Sequence, residues 1–232
     1  MCTRYTIVAR AEEIAQRFQV DVPSYYRPHY NAAPSQLLPV ITQDSPEGVS
    51  QFYWGLSPER SRNKTISERI INVRCEAILE KPVLKKAIMN RRCLVIADGF
   101  YEWKKLGKKT IIPHRVVRTD RNLFAFAGTW EEYEDESGSA FHTFSIVTTE
   151  ANEIVKSIHD RMPVILKPEL EQAWLNAATS EEEILGMLTP YPTEWTDLYS
   201  VSPRVNSVEM DVPSLILPAP PADQFGNLTL FG

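Results

Sequence analysis

The chain has 232 residues, 43% of them hydrophobic and 24% charged, with a formal net charge of −5. That is enough apolar sequence for one large folded domain or two small ones, and it excludes a disordered chain. Three cysteines, at positions 2, 75 and 93, make neither a C-x-x-C metal pair nor an even disulfide set, and Met1 leads straight into a strand-like run with no secretory leader. A reducing, cytoplasmic setting is therefore expected, with no metal and no cofactor. The apolar runs are strand-sized, far short of the roughly 20 residues of a membrane helix, so no membrane segment is expected.

The net charge conceals a division. Residues 1–130 carry 21 Lys and Arg against 12 Asp and Glu, giving +9, whereas residues 131–232 carry 4 against 18, giving −14. Two solvated faces would account for this, but a basic half also suits an anionic partner.

In chain order, the pattern predicts strands at Arg4–Ala9, Leu37–Thr42, Ser50–Trp54, Ile70–Val73, Cys93–Ala97, Phe100–Lys104, Ile112–Arg118, Leu123–Gly128, His142–Thr148, Val164–Leu166 and Leu198–Val201. Pro, Gly, Asn and Asp punctuate them. Helical periodicity appears at Ala11–Phe18, Pro82–Met89, Ala151–Ser157, Pro168–Ala177 and Ser180–Leu188. There is no internal repeat and no Gly-rich phosphate loop. The expected class is α+β: a mostly antiparallel, barrel-like β core with short flanking helices. The acidic stretch Glu131–Gly138 reads as an exposed hairpin loop, and the domain is expected to span residues 1–206, with 207–232 as a Pro-rich tail.

Position 2 carries the most distinctive chemistry. A small residue after the initiator methionine permits removal of Met1, leaving an α-amine and a thiol together on Cys2. An α-amine with a pKa of about 8 is partly unprotonated at neutral pH and attacks aldehydes to form a Schiff base. The thiol can then close on the imine carbon to give a thiazolidine. Cys2 as a small hydrophobe at a chain end is the plainer alternative.

Further on, Glu102 sits among aromatics in the run Asp98–Lys105. Strand alternation puts Phe100, Glu102 and Lys104 on one face, with Tyr101, Trp103 and Lys105 on the other. Such a carboxylate is either a buried acid of altered basicity or a rim residue paired with lysine, and alternation alone favours the rim. His159 falls in a connection between a helix and a strand, where it could serve as acid or base or be structural. Asn72 and Arg74 share one side of a strand, suited to a sugar hydroxyl and a phosphate or to a structural pair.

Together these segments resemble the SRAP (SOS response-associated peptidase) family of abasic-site processing proteins. The resemblance runs through Met1-Cys2-x-Arg4, Tyr30-Asn31-x-Ala33-Pro34, Trp54-Gly55, Asn72-x-Arg74-x-Glu76, the box from Asp98 to Lys104, Ile158-His159-x-Arg161-x-Pro163 and Val201–Asn206. Thr3 stands where the family commonly has glycine, and Cys75 and Ala77 depart from the usual neighbours of the Asn-x-Arg pair. The resemblance implies that Cys2 cross-links to the aldehyde of an abasic site in single-stranded DNA. It further implies that Glu102 activates the Cys2 amine, that His159 moves a proton to or from the opening sugar and assists reversal, and that Asn72 holds the sugar. Arg4, Arg74 and Arg161 are expected at phosphates and Trp54 and Trp103 against bases, with Asn31, Pro34 and Lys104 on the same DNA-binding surface.

Asn227, Leu228, Leu230 and Phe231 resemble the short peptides by which bacterial repair proteins dock on the sliding clamp; an apolar end folding back is the alternative. The chain is expected to act as a monomer. Two other activities compete with cross-linking: a cysteine peptidase built on Cys2, His159 and Glu102, limited to self-removal of Met1, and a non-catalytic single-stranded DNA-binding module.

Overall fold

The computed structural model describes residues 2–55, 71–107, 110–134 and 138–229. In chain order the elements are β1 (Tyr5–Ile7), α1 (Ala11–Phe18), β2 (His29–Ala32), β3 (Leu37–Thr42), β4 (Ser45–Trp54), β5 (Asn72–Arg74), α2 (Cys75–Glu80) and α3 (Pro82–Asn90). They continue with β6 (Arg92–Ala97), β7 (Gly99–Leu106), β8 (Thr110–Arg118), β9 (Phe124–Glu134), β10 (Ala140–Glu150), α4 (Glu153–Lys156), β11 (Arg161–Pro163) and β12 (Ile165–Leu166). Last come α5 (Pro168–Leu175), α6 (Glu181–Gly186) and β13 (Thr196–Ser200).

Five strands close on themselves. β3 pairs with β4 and β6, β6 with β9, and β9 with β10, all antiparallel; a parallel pairing of β10 with β4 through Thr143 and Tyr53 completes the ring. Closure removes the free edges that such apolar strands would otherwise expose. β6 reads RCLVIA and is buried at every position, because one face lines the barrel and α3 and α5 cover the other. β5 and β11 run alongside β10, and β12 alongside β9.

A second sheet, in the order β13-β8-β7-β1-β2, is antiparallel throughout and packs against the barrel. Phe100 and Val116 of this sheet join the barrel's core; Tyr101 and Trp103, on the opposite face, form a smaller cluster with Val201, Val205 and Leu215. The expected α+β class with a barrel-like core is observed, and no described helix is long and apolar enough to cross a membrane.

Several elements differ from the sequence pattern. β9 runs on to Glu134 and β10 begins at Ala140, so half of the acidic stretch expected to be loop is strand. β2 and α2 carry no adequate local signal, being four and six residues long. Residues 207–229 lie back along the second sheet: Leu215 is fully buried, Ala219 N–H donates to Ser200 O at 3.0 Å, and the Asp211 carboxylate accepts from the backbone N–H groups of Tyr30 and Asn31.

Candidate active site

β1 starts three residues after Cys2 and lies antiparallel to β7, with Tyr5 opposite Phe100 and Tyr101 N–H donating to Arg4 O at 3.0 Å. Continuing that register brings the N-terminus beside Glu102 and Trp103. From the barrel side, β5 and β11 flank β10, so Asn72 at the head of β5 and His159 in the turn before β11 reach the same corner. Asn72 Nδ2 donates to the Cys2 carbonyl at 2.7 Å, and Asn72 Oδ1 is buried with no hydrogen-bond partner among the described residues. His159 Nε2 lies 4.0 Å from Glu102 Oε2. Cys2 itself is fully buried, and burial, then the nearby Glu102 charge, pushes its thiol well above the usual range. The four residues that the resemblance marks for chemistry therefore converge.

Glu102 is not the rim residue that alternation suggested. Its face of β7 is covered by the barrel, leaving it 3% exposed, and burial pushes its carboxyl up to about 7. Burial moves His159 the other way, below its ordinary value. The usual order of basicity is thus reversed: near neutral pH the imidazole is neutral while the carboxyl is shared between its two forms. His159 Nδ1 lies 3.0 Å from Arg161 N, 3.2 Å from Arg161 O and 3.2 Å from Asp160 Oδ1, contacts that hold the ring with Nε2 facing Glu102. A carboxyl of raised basicity beside a neutral imidazole is an arrangement for proton transfer.

The residues expected to touch DNA divide. Arg74 is exposed at the end of β5, and Lys104 and Pro34 are half-buried. Arg4, in contrast, donates to Val205 O at 2.8 Å and to Asn31 Oδ1 at 3.2 Å, while the fully buried Asn31 donates to Val205 O, Ser207 O and Met210 O. Both hold the C-terminal segment against the second sheet. Trp103 joins them by donating Nε1–H to Asn206 Oδ1 at 2.7 Å. Trp54, expected to offer a face to bases, has no exposed surface: Tyr5 packs edge-on, Phe144 stacks on it, and its Nε1–H is taken by Ile71 O. Arg161 is 9% exposed and bound by Glu76 in a two-pronged ion pair, with contacts of 2.6 and 3.1 Å. Glu76 stood in the sequence motif, but nothing local predicted its partner.

In the tail, residues 221–229 form a small hairpin in which Asp223 accepts from Asn227; Leu228 is 75% exposed, and Leu230 and Phe231 lie outside the described residues. A groove of about 1020 Å³ lies at the far end of β1 among Val8, Asp98, Arg115 and Arg118, away from Cys2. Its arginines are neutralised by carboxylates, as in the buried pair of Arg115 and Asp98.

Comparison with known proteins places these features in a lineage. The family model for SOS response associated peptidase (SRAP) matches residues 1–208. Abasic site processing protein YoqW of Bacillus subtilis (strain 168) is 40% identical over 221 residues, covering 93% of this chain and 99% of that one. Abasic site processing protein HMCES of Gallus gallus is 30% identical over 226 residues, covering 83% and 67%. A crystal structure of a protein from Bacteroides thetaiotaomicron superposes with a TM-score of 0.83 at 31% identity, covering 94% of this chain and all of that one.

Proposed function

The chain belongs to the SOS response associated peptidase (SRAP) family, and from that premise we propose that it processes abasic sites in single-stranded DNA by a covalent thiazolidine link through Cys2. The observation that carries this reading is the convergence on the N-terminus: Asn72 holds the Cys2 carbonyl at 2.7 Å, and Glu102 and His159 stand 4.0 Å apart beside it. Relatives named as abasic site processing proteins support it.

The chemistry needs Met1 removed, since until then the Cys2 nitrogen is an amide. The freed amine adds to the C1′ aldehyde of the ring-opened deoxyribose, and the carbinolamine loses water to give an imine. Glu102, with a carboxyl near 7, takes the proton from the Cys2 ammonium so that the neutral amine can add, and returns one to the departing hydroxyl. Cys2 Sγ then adds to the imine carbon; the C=N π pair moves to nitrogen, which gains the thiol's proton, and the ring closes. His159, with Nε2 toward Glu102, serves the opening of the sugar and the reverse reaction. Asn72 Oδ1 accepts from a sugar hydroxyl.

This order of events suits the thiol. A cysteine peptidase depends on a thiolate stabilised by a neighbouring imidazolium, whereas here burial raises the thiol and His159 Nε2 faces Glu102 at 4.0 Å. Amine-first chemistry uses a neutral thiol until the last step.

The test is to incubate Met-processed protein with a single-stranded oligonucleotide bearing one abasic site. A heat-stable adduct from the wild type and none from Cys2→Ala is expected; turnover of peptides with no adduct would sink the reading. The tail residues Asn227, Leu228, Leu230 and Phe231 we assign to sliding-clamp docking, to be checked by deleting residues 224–232: clamp affinity should disappear, and an affinity already undetectable in the full chain would end the assignment.

A further inference from the structure

Glu76 lies outside the reacting set, yet it touches both arms of the site. It is the second residue of α2, directly after the strand that carries Asn72, and its carboxylate grips Arg161 Nη1 and Nη2 at 2.6 and 3.1 Å. Arg161 Nη2 also donates to Thr148 O at 2.7 Å, so its guanidinium is fixed on two sides; Nε is buried with no hydrogen-bond partner among the described residues. The backbone N–H of the same Arg161 donates to His159 Nδ1 at 3.0 Å.

We propose that Glu76 is a positioning residue of the Cys2 site: by bracing Arg161 it ties the Asn72 arm to the His159 arm and keeps the imidazole oriented with Nε2 toward Glu102. A two-pronged arginine–carboxylate contact is the geometry that fixes orientation as well as charge. Fixing matters here because the Arg161 backbone holds Nδ1, with N at 3.0 Å and O at 3.2 Å, and a turn free to shift by an ångström would swing Nε2 away from Glu102. The Glu76 carboxyl is held down to about 2, first by the Arg161 hydrogen bonds, so the brace persists across the working pH range. A carboxylate 49% exposed at the edge of a surface that is to receive phosphates is otherwise unfavourable, and its retention there fits a role in orientation.

The inference rests on the cross-linking reading, and the experiment separates the two. Glu76→Gln should slow adduct formation on the order of ten-fold, as loss of an outer partner that orients a reacting imidazole does. In a Cys2→Ala background, the same change should leave affinity for the oligonucleotide equal or tighter, because a negative charge has been removed. Combined with Arg161→Gln, it should cost nothing further. Imidazole nitrogen shifts should report one dominant tautomer of His159 in the wild type and a mixture of tautomers in Glu76→Gln. Should Glu76→Gln melt far below the wild type, Glu76→Asp, which keeps the charge but not the reach, takes its place with the same expected loss. An unchanged rate and an unchanged imidazole spectrum overturn the proposal, as does a parallel fall in rate and affinity. A wild type that forms no adduct defeats the cross-linking reading instead, and the tautomer measurement still judges Glu76.

Discussion

Two fully buried, free cysteines stand in different surroundings. Cys93 lies on β6 inside the barrel, against Gly128 of β9, where an added Cβ would come within 2.8 Å of its sulfur. Burial alone pushes its thiol up. Cys2 is as buried and its thiol is raised too, but its neighbours are a carboxyl, an imidazole and an amide. Burial by itself makes a cysteine inert; reactivity comes from what else is buried with it.

The largest expected effect is accordingly a contrast between these two. Cys2→Ala should abolish the adduct and leave the fold standing, whereas Cys93→Ala should keep the adduct and lose stability by about 1–2 kcal/mol, the order of a small cavity. Gel assay and thermal melting check the pair, and an adduct lost in both would mean that Cys93 also reacts or that the barrel's packing governs the corner.

Glu102→Gln comes next. Adduct formation should fall on the order of 10³-fold, as expected of a general acid–base group. Stability should change in the opposite sense. With its folded value raised from 4.5 to about 7, the carboxyl binds more protons folded than unfolded between those limits, so stability falls as pH rises through the window. Gln carries no such penalty: the variant should match the wild type near pH 4 and exceed it at pH 8 by roughly 3 kcal/mol. Equal melting curves at pH 8 would show that Glu102 ionises without cost. His159→Ala should act on a narrower step, slowing adduct reversal on the order of 10²-fold while leaving oligonucleotide affinity within about two-fold; equal reversal rates would remove it from the mechanism.

What could be read from the sequence was local. Ala11–Phe18 and Leu37–Thr42 form as the periodicity predicts, because charged helix ends and β-branched runs speak for themselves. β2 could not be read, since HYNA lacks alternation and is secured by Asp211, 180 residues away. The groups that converge at Cys2 were legible through their motifs, but their state was not: the raised carboxyl of Glu102 depends on the barrel covering β7. The engagement of Arg4 was illegible for the same reason, its carbonyl partner at Val205 being 201 residues distant.

That contrast between exposed and engaged cations gives the smallest expected effect and the most direct measure of where DNA runs. Each phosphate neutralised on single-stranded DNA contributes about −0.7 to the slope of log K against log salt. Arg74, exposed at the end of β5 beside Asn72, has its guanidinium available, so Arg74→Gln in the Cys2→Ala background should flatten the slope by about that amount. Arg4 spends its donors on Val205 O and Asn31 Oδ1, so Arg4→Gln should leave the slope alone and appear in the melting temperature. If Arg4→Gln flattens the slope as much as Arg74→Gln does, the hydrogen bonds to the C-terminal segment give way when DNA binds, and the engaged arginine belongs with the exposed one after all.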